Sequence, residues 1–276
     1  MKKVVCLSLA GVLLFNFAGV TKGIASVDKS ANTRTGDSLN VNLEVNYSPI
    51  WFEWKEYNEG RSLKEDGWIH RTSISVTVEK NRFFVVPEFN LYAGSIDYKG
   101  QTITGTKVST DTSYYGFEIS AKGGYSFCLG KAEIPAYIGL GYERWRRNLE
   151  STLNAFGYAE KWSQLYTIIG VAPQWHIGKR YYIFGDLYIK RPLDIKNKVS
   201  YFDVTVDPEE VWNYGIELGV GVKPLLKRYI EGKISLFYER EKFDESDPKY
   251  SSTIQDYIYQ PDSKREKFGV KLGIKF

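Results

Sequence analysis

Residues 39–47 read LNVNLEVNY, and this stretch decides the fold class. Every odd-numbered residue in it is apolar or aromatic, and every even-numbered residue is polar. Successive side chains of a β-strand point to opposite faces, so this alternation predicts a strand with one apolar face and one polar face. The stretch also has about the length that a tilted strand needs to cross a lipid bilayer.

The same alternation recurs in nine further segments, the last of them at residues 268–276. The links near residues 80, 129, 178 and 226 are short, whereas those near 60, 103, 153, 200 and 252 run to roughly ten to twenty-five residues. Short turns at one end and long loops at the other are typical of membrane β-barrels. We therefore predict an all-β fold, an antiparallel up-and-down transmembrane β-barrel of about ten strands, with eight or twelve strands as alternatives.

Composition excludes a helical membrane protein. Aromatic residues make up 16% of the chain, and the mean hydropathy is only -0.34. After the first twenty-odd residues, no apolar run approaches the length of a spanning helix. A barrel is compatible with this low hydropathy because only alternate residues of each strand face lipid.

The amino end predicts export. Lys2 and Lys3 precede an uncharged run over residues 4–20, and small residues stand at Gly23 and Ala25, which is the pattern of a secretory signal. We predict a cleaved signal peptide over 1–25, a periplasmic leader over 26–38 and an outer-membrane barrel over 39–276. The mature chain would keep Cys128 as its single cysteine, so it cannot form an internal disulfide.

The charge of the mature chain indicates no nucleic-acid partner. Removal of Lys2, Lys3 and Lys22 from the 37 basic residues leaves 34, against 33 acidic residues. A balanced chain lacks the basic excess that nucleic-acid binding requires.

Tryptophan placement supports a membrane setting. Most tryptophans lie near predicted strand ends, where amphipathic rings collect at membrane interfaces. The alternative is a set of ordinary core tryptophans in a soluble β-protein. The predicted aromatic girdle comprises Trp51, Trp54, Trp68, Trp145, Trp162, Trp175 and Trp212.

The carboxyl end reads FGVKLGIKF over 268–276. It resembles the terminal strand signal of bacterial outer-membrane barrels, and the resemblance implies the barrel-assembly machinery as a partner during biogenesis. The rest of the chain is similar to that group in architecture, with ten strands as in omptin proteases and Opc-type adhesins, rather than the eight of the OmpA and OmpX types. The predicted assembly signal comprises Phe268, Val270, Leu272, Ile274 and Phe276.

The inward faces of the predicted strands carry nearly balanced charge. A ten-stranded barrel is little wider than the eight-stranded kind, whose lumen side chains fill. This favours a packed polar core, with a narrow channel or small-ligand pocket as the alternative. The predicted lumen charge network comprises Glu44, Arg71, Glu88, Glu118, Lys122, Asp186, Lys190, Glu217, Glu231, Lys233 and Lys271.

Catalysis and metal binding find little support in the sequence. His70 has hydroxyl neighbours at Thr72 and Ser73, which is a conceivable but undiagnostic site for a membrane hydrolase. Omptin proteases carry an Asp-x-His arrangement in a long loop, and the corresponding loops here contain no histidine. We predict no catalytic residue, no metal site and no cofactor.

Two groups of loop charges allow interactions at the cell surface. Glu241, Asp244, Glu245 and Asp247 form an acidic cluster, which is read as solvated loop charge, with loose divalent-cation binding as the alternative. A set of basic residues at the loop bases could hold the phosphates of lipopolysaccharide. These residues are Arg144, Arg146, Arg147, Lys190 and Arg191.

These features together predict an outer-membrane surface protein with five long extracellular loops. Its role would be adhesion or envelope integrity, with outer-membrane lipid, lipopolysaccharide and an unknown extracellular ligand as partners. A narrow porin-like channel and an outer-membrane hydrolase, either a protease or a lipid hydrolase, are the alternatives. Loop sequence varies freely on a barrel scaffold, so the ligand itself is not readable.

Overall fold

A computed structural model describes residues 38–58, 61–102, 105–153, 155–210, 212–223 and 230–276. The predicted signal peptide, and all of the predicted leader except Ser38, lie outside these residues. Within them, no helix is long and apolar enough to cross a membrane. The strands are β1 Asn40–Asn58, β2 Arg61–Lys80, β3 Phe83–Gln101, β4 Lys107–Leu129, β5 Ala132–Leu149, β6 Ala159–Val171, β7 Gln174–Ile177, β8 Tyr181–Val199, β9 Val204–Val206, β10 Pro208–Glu210, β11 Asn213–Val222, β12 Glu231–Ser246, β13 Lys249–Ser251, β14 Asp256–Ile258 and β15 Asp262–Lys275.

Ten antiparallel strands close into a barrel, as predicted. Around the wall the order is β1, β2, β3, β4, β5, β6 continued by β7, β8, β11, β12 and β15. Closure occurs at β15, which pairs with β12 on one side and β1 on the other, so that Phe268 lies opposite both Tyr238 and Trp51. A closed barrel leaves no unpaired strand edge.

The two faces of the wall differ as the alternation requires. Along β3, the odd-numbered residues Phe83, Val85, Pro87, Phe89 and Leu91 are exposed on the outer face, while the even-numbered residues between them point into the lumen. The same division holds on every wall strand, and it gives the barrel an apolar outer band. On β1 and β2 the band ends at Trp51 and Trp68, beyond which charged residues alternate instead.

Tight turns close the lower end of the barrel. Asn81 and Arg82 connect β2 to β3, and both adopt positive φ angles of 53° and 70°. Positive φ at both central residues matches the twist of a two-residue hairpin. Gly130, with a φ of 64°, serves the turn between β4 and β5.

The upper end differs from the prediction of long loops near residues 60 and 103. β1 and β2 continue as a paired hairpin with only residues 59–60 between them, and β3 and β4 are separated only by residues 102–106. The apolar alternation stops at the band, but pairing continues because opposite charges replace it, as where Lys64 Nζ lies 3.1 Å from Glu53 and 3.2 Å from Asp66. The prediction was wrong there because it followed apolar residues alone.

Candidate functional site: lumen and upper loops

In the lower lumen, ion pairs connect strands that lie close together in the barrel wall. Lys233 Nζ lies 2.5 Å from Glu44, and Lys122 Nζ lies 3.2 Å from Glu88. Lys271 pairs with Glu217. Side chains of opposite charge therefore fill the space that the barrel encloses, and each partner offsets the desolvation of the other.

The middle of the lumen is bridged from wall to wall. Arg265 of β15 lies 2.6 Å from Glu143 of β5, and these two strands stand opposite each other in the ten-stranded wall. Lys190 Nζ is 2.9 Å from Glu118, and Arg71 lies 2.9 Å from Glu239. Ion pairs between strands therefore cross the lumen at this level.

All eleven residues of the predicted lumen charge network face the interior. Nine of them take part in the five ion pairs of Lys233, Lys122, Lys271, Lys190 and Arg71 described above, and Glu231 lies 3.9 Å from Lys223. The Tyr182 hydroxyl donates to Glu231 at 3.2 Å, and the Tyr137 hydroxyl donates to Asp186 at 2.7 Å. The structure thus brings these residues together through tyrosines as well as through lysines and arginines.

Two cavities lie inside the barrel, in its lower and middle parts. Their volumes are about 70 Å³ and about 180 Å³, and both are lined by Asp186, Glu217 and Lys271. Because their linings are mainly charged and polar, these spaces suit ordered water molecules.

Near the upper end, four aromatic rings meet inside the barrel. We call Trp54, Trp145, Trp162 and Phe243 the aromatic layer. Trp54 and Trp162 belong to opposite strands, β1 and β6, and their ring centroids are 5.3 Å apart. Trp145 stacks on Trp162 at 5.3 Å, and Phe243 contacts Trp54 at 5.5 Å. The layer therefore spans the lumen between opposite strands.

The prediction that all seven tryptophans form an outer girdle was wrong for Trp54, Trp145 and Trp162, which are 0–2% exposed. Each stands at the inward parity of its strand, a signal that the girdle prediction overlooked because it used only distance from the strand end. The remaining four lie on the outer surface, with 38–58% of each residue exposed. They are Trp51, Trp68, Trp175 and Trp212.

A buried charged centre lies next to the aromatic layer. We call Arg147 with Glu56, Glu65 and Glu160 the arginine–glutamate centre. The guanidinium lies 2.6 Å from Glu65, 2.8 Å from Glu160 and 3.4 Å from Glu56. The indole of Trp54 donates to Glu56 at 2.8 Å. Three carboxyl groups thus share one guanidinium in a largely dry site.

This imbalance shifts the proton affinity of Glu56, which lies five residues beyond the end of the apolar band on β1. Burial raises the pKa of Glu56 to about 7, and the nearby Glu160 and Glu65 carboxylates add to the rise, although Arg147 opposes it. The centre can therefore hold one proton at neutral pH. Glu56, Glu65 and Glu160 were not predicted as site residues, although their inward parity on β1, β2 and β6 indicates an interior position.

Several predicted loop charges turn out to be internal. Glu241, assigned to a solvated acidic cluster, is 2% exposed and pairs with Arg265, so that assignment was wrong. Arg147 and Lys190, assigned to lipopolysaccharide phosphates, are buried at inward positions and cannot reach the outer surface. Arg144 and Arg191 are exposed on the outer face.

The barrel wall separates His70 from Ser73, whereas Thr72 lies on the same outer face as His70. His70 lies on the outer face, where its Nδ1 is 2.7 Å from the Tyr47 hydroxyl, whereas Ser73 is buried on the inner face. His70 and Ser73 therefore do not form a nucleophile and base pair. Within the described part of the chain, no cluster of three potential metal ligands is present. Cys128 is a free, exposed thiol.

Known structures of similar architecture identify the fold. The outer membrane protease OmpT from Escherichia coli matches with a TM-score of 0.60 and 11% identity, over 90% of this chain and 99% of that one. The chain has the fold of outer-membrane β-barrels. A translocator domain of the autotransporter NalP from Neisseria meningitidis has a TM-score of 0.42 at 9% identity, over 97% and 95% of the two chains. An outer membrane channel from Pseudomonas putida F1 has a TM-score of 0.41 at 9% identity, over 90% and 100%.

Sequence comparisons identify no related protein family. No protein-family model matches the chain, and no curated protein matches it. Structural similarity at a sequence identity near 10% shows a shared fold and does not show a shared activity. The outer-membrane barrel fold therefore stands on structure, and the role of the chain is argued from its own residues.

Proposed function

We propose that the protein is an integral outer-membrane surface protein whose barrel is a closed scaffold and whose extracellular loops bind a partner outside the cell. The observation that carries this proposal is the contact between opposite walls, namely Trp54 with Trp162 and Arg265 with Glu143. A lumen filled in this way leaves the specific activity to the loops. Adhesion is the role that fits a rigid scaffold with exposed loops.

The closed lumen predicts an absence of steady ion conductance. Refolded protein in a planar bilayer should give no ohmic steps, because the aromatic layer and the ion pairs between strands cross the lumen. The measurement is single-channel current across the bilayer, after a heat-modifiable band has confirmed folding. A refolded porin in the same bilayers is the control. Stable conductance steps at the level of the porin would favour the channel alternative instead.

Binding fits the chain better than hydrolysis does. The chain contains only His70 and His176, and neither lies in the upper loops. His70 hydrogen-bonds Tyr47 on the outer face. A hydrolytic site built on a histidine base would need that base beside a nucleophile and an orienting group. Our proposal therefore assigns no catalytic residue.

The outer face supports lipopolysaccharide as a membrane partner. On β5, Arg144 follows the apolar outward residue Tyr142, and Arg146 stands beside Lys161 of β6. On β8, Arg191 lies between the exposed Ile189 and Leu193, and its guanidinium is 5.2 Å from the ring centroid of Trp212. Guanidinium groups at the edge of an apolar band suit the phosphates of a glycolipid in the outer leaflet. We propose that this face anchors the barrel there.

The lipopolysaccharide contact predicts a loss of thermal stabilisation in a double variant. Addition of lipopolysaccharide to detergent-refolded protein should raise its melting temperature, and Arg144→Ala with Arg191→Ala should reduce that rise by at least about half, because two phosphate contacts are lost. The control is Lys99→Ala, an exposed outward lysine on β3. An equal rise in the double variant and the control would contradict the assignment.

We also propose that the final strand is read by the barrel-assembly machinery. Phe276 exchanges backbone hydrogen bonds with Leu43, at 2.8 Å and 3.2 Å, and its side chain points outward. Phe276→Ala keeps this backbone pairing and removes only the ring. We expect severalfold less folded barrel in cells but normal refolding in detergent, with Phe83→Ala as the control. Equal cellular assembly of both variants would count against recognition of the ring.

A further inference from the structure

Three upper segments join into one surface. These are residues 150–158 without 154, residues 200–212 without 211, and residues 247–261, which we call the loop surface. The Ser200 amide donates to the Ala159 carbonyl at 2.9 Å, and the rings of Tyr158 and Phe202 lie 6.2 Å apart. The Ser251 hydroxyl donates to the Phe202 carbonyl at 2.9 Å. Contacts of this kind hold the three segments as a continuous patch.

Large apolar side chains on this surface are presented to solvent. Leu153 is 104% exposed and Phe156 is 86% exposed. The backbone that carries them is tied by hydrogen bonds, with the Thr152 amide donating to the Ala155 carbonyl at 2.8 Å and the Gly157 amide donating to Ser151 Oγ at 2.9 Å. An ordered turn thus keeps apolar groups in water, which marks an interaction site.

Tyrosines extend the same surface over the neighbouring segments. Tyr201, Tyr250 and Tyr257 are each more than half exposed, and the rings of Tyr250 and Tyr257 meet at 5.5 Å. Exposed tyrosine is common at binding interfaces because its ring offers apolar area and its hydroxyl offers a hydrogen bond. Its face also attracts cations.

The loop surface is predominantly acidic. Its three segments contain seven acidic residues and a single basic one, although the whole chain has a slight basic excess. That single lysine, Lys249, lies 3.4 Å from Asp207, and Lys198 of β8 lies 3.0 Å from Asp203. Two of the seven acidic residues are thus paired, and an excess of acidic groups remains. The seven acidic residues are Glu150, Asp203, Asp207, Glu209, Glu210, Asp247 and Asp256.

We propose that the loop surface binds a cationic polypeptide. Lysine or arginine side chains would meet the carboxylates and the tyrosine faces, while apolar parts of the same chain would cover Leu153 and Phe156. A divalent cation alone would leave the apolar side chains exposed to water. A polyanion such as an acidic polysaccharide would be repelled by the carboxylates. This inference rests on the proposed binding role and names the chemical class of the partner.

The test uses full-length protein refolded in zwitterionic detergent without lipopolysaccharide. Fluorescent poly-L-arginine, poly-L-lysine and poly-L-glutamate are titrated against it at several salt concentrations. We expect saturable binding of the two polycations that weakens as salt rises, and no binding of poly-L-glutamate. Binding of the polyanion, or no binding of either polycation, would overturn the inference.

Matched variants locate the binding. Glu209→Gln with Asp247→Asn should weaken polycation binding about tenfold, as should Phe156→Ser with Tyr257→Ala. The controls remove equivalent groups outside the loop surface, as Asp97→Asn with Asp111→Asn and, separately, Tyr57→Ala; all three residues are exposed on the outer face. If a control weakens binding as much as its matched variant, the effect is general charge or aromatic content, and the inference is wrong.

Failure here and failure of the proposed function are separable. If the barrel shows no conductance in bilayers and binds no polycation, the proposed closed scaffold stands. Its partner would then belong to another chemical class. A conducting barrel would overturn the proposed function whether or not a polycation binds.

Discussion

Replacing Arg147 by methionine is expected to lower the free energy of unfolding by about 3–5 kcal/mol, the cost of leaving buried charges unpaired. Arg147 is 1% exposed and lies between Glu65, Glu160 and Glu56. Without the guanidinium, three carboxyl groups would share a site lined by tryptophan and tyrosine. The measurement is the midpoint of urea unfolding of the refolded barrel, followed by tryptophan fluorescence.

The control for this prediction is Arg144→Met, which changes an exposed arginine on the same strand and should alter stability by less than about 1 kcal/mol. Adding Glu160→Gln to Arg147→Met should recover part of the loss, because one uncompensated charge is removed. Similar losses for Arg147→Met and Arg144→Met would show that the arginine–glutamate centre contributes little.

The second large effect is a pH dependence that arises at Glu56. Burial raises its pKa from 4.5 to about 7, so the folded state binds this proton more tightly than the unfolded state does. The stabilising contribution is complete below pH 4.5 and is lost as the pH rises through 7. A shift of that size corresponds to about 3 kcal/mol.

Glu56→Gln separates this effect from other titrations. The variant keeps a neutral side chain at every pH, so its unfolding midpoint should lack the decline that the wild-type protein shows between pH 4.5 and pH 7. The control is Glu53→Gln, on the outer face of the same strand, where the pKa is lowered by hydrogen bonds to Lys55 and Lys64 despite partial burial. Parallel pH profiles for wild type and Glu56→Gln would contradict the assignment.

Side-chain parity explains which interior residues were predictable. On β1 the outward residues are odd-numbered, so Trp51 faces outward and Trp54 inward. On β5 the outward residues are the even-numbered ones, such as Ile138 and Leu140, so Trp145 and Arg147 face inward. The girdle and phosphate predictions failed for these residues because they used position along the strand and ignored the face.

The upper hairpins show a different limit. Alternation of apolar residues ends near Trp51 and Trp68, yet β1 and β2 continue to Asn58 and Arg61. There the outward faces carry charges that pair across strands, as Lys64 does with Glu53. A strand that has left the apolar band is stabilised by its partner strand, and a single stretch of sequence does not show that partner.

By itself, the sequence determined the strand segments, the division of each into an apolar and a polar face, and the all-β barrel, because alternation along a strand is a local property. Tertiary structure alone decided which interior groups meet, such as Arg147 with Glu65, 82 residues apart, or Trp54 with Trp162. Those meetings depend on which strands stand opposite after closure and on the register between neighbours. Both are set by the whole wall at once, so the closure of the lumen and the proton-binding centre emerge only when the barrel is complete.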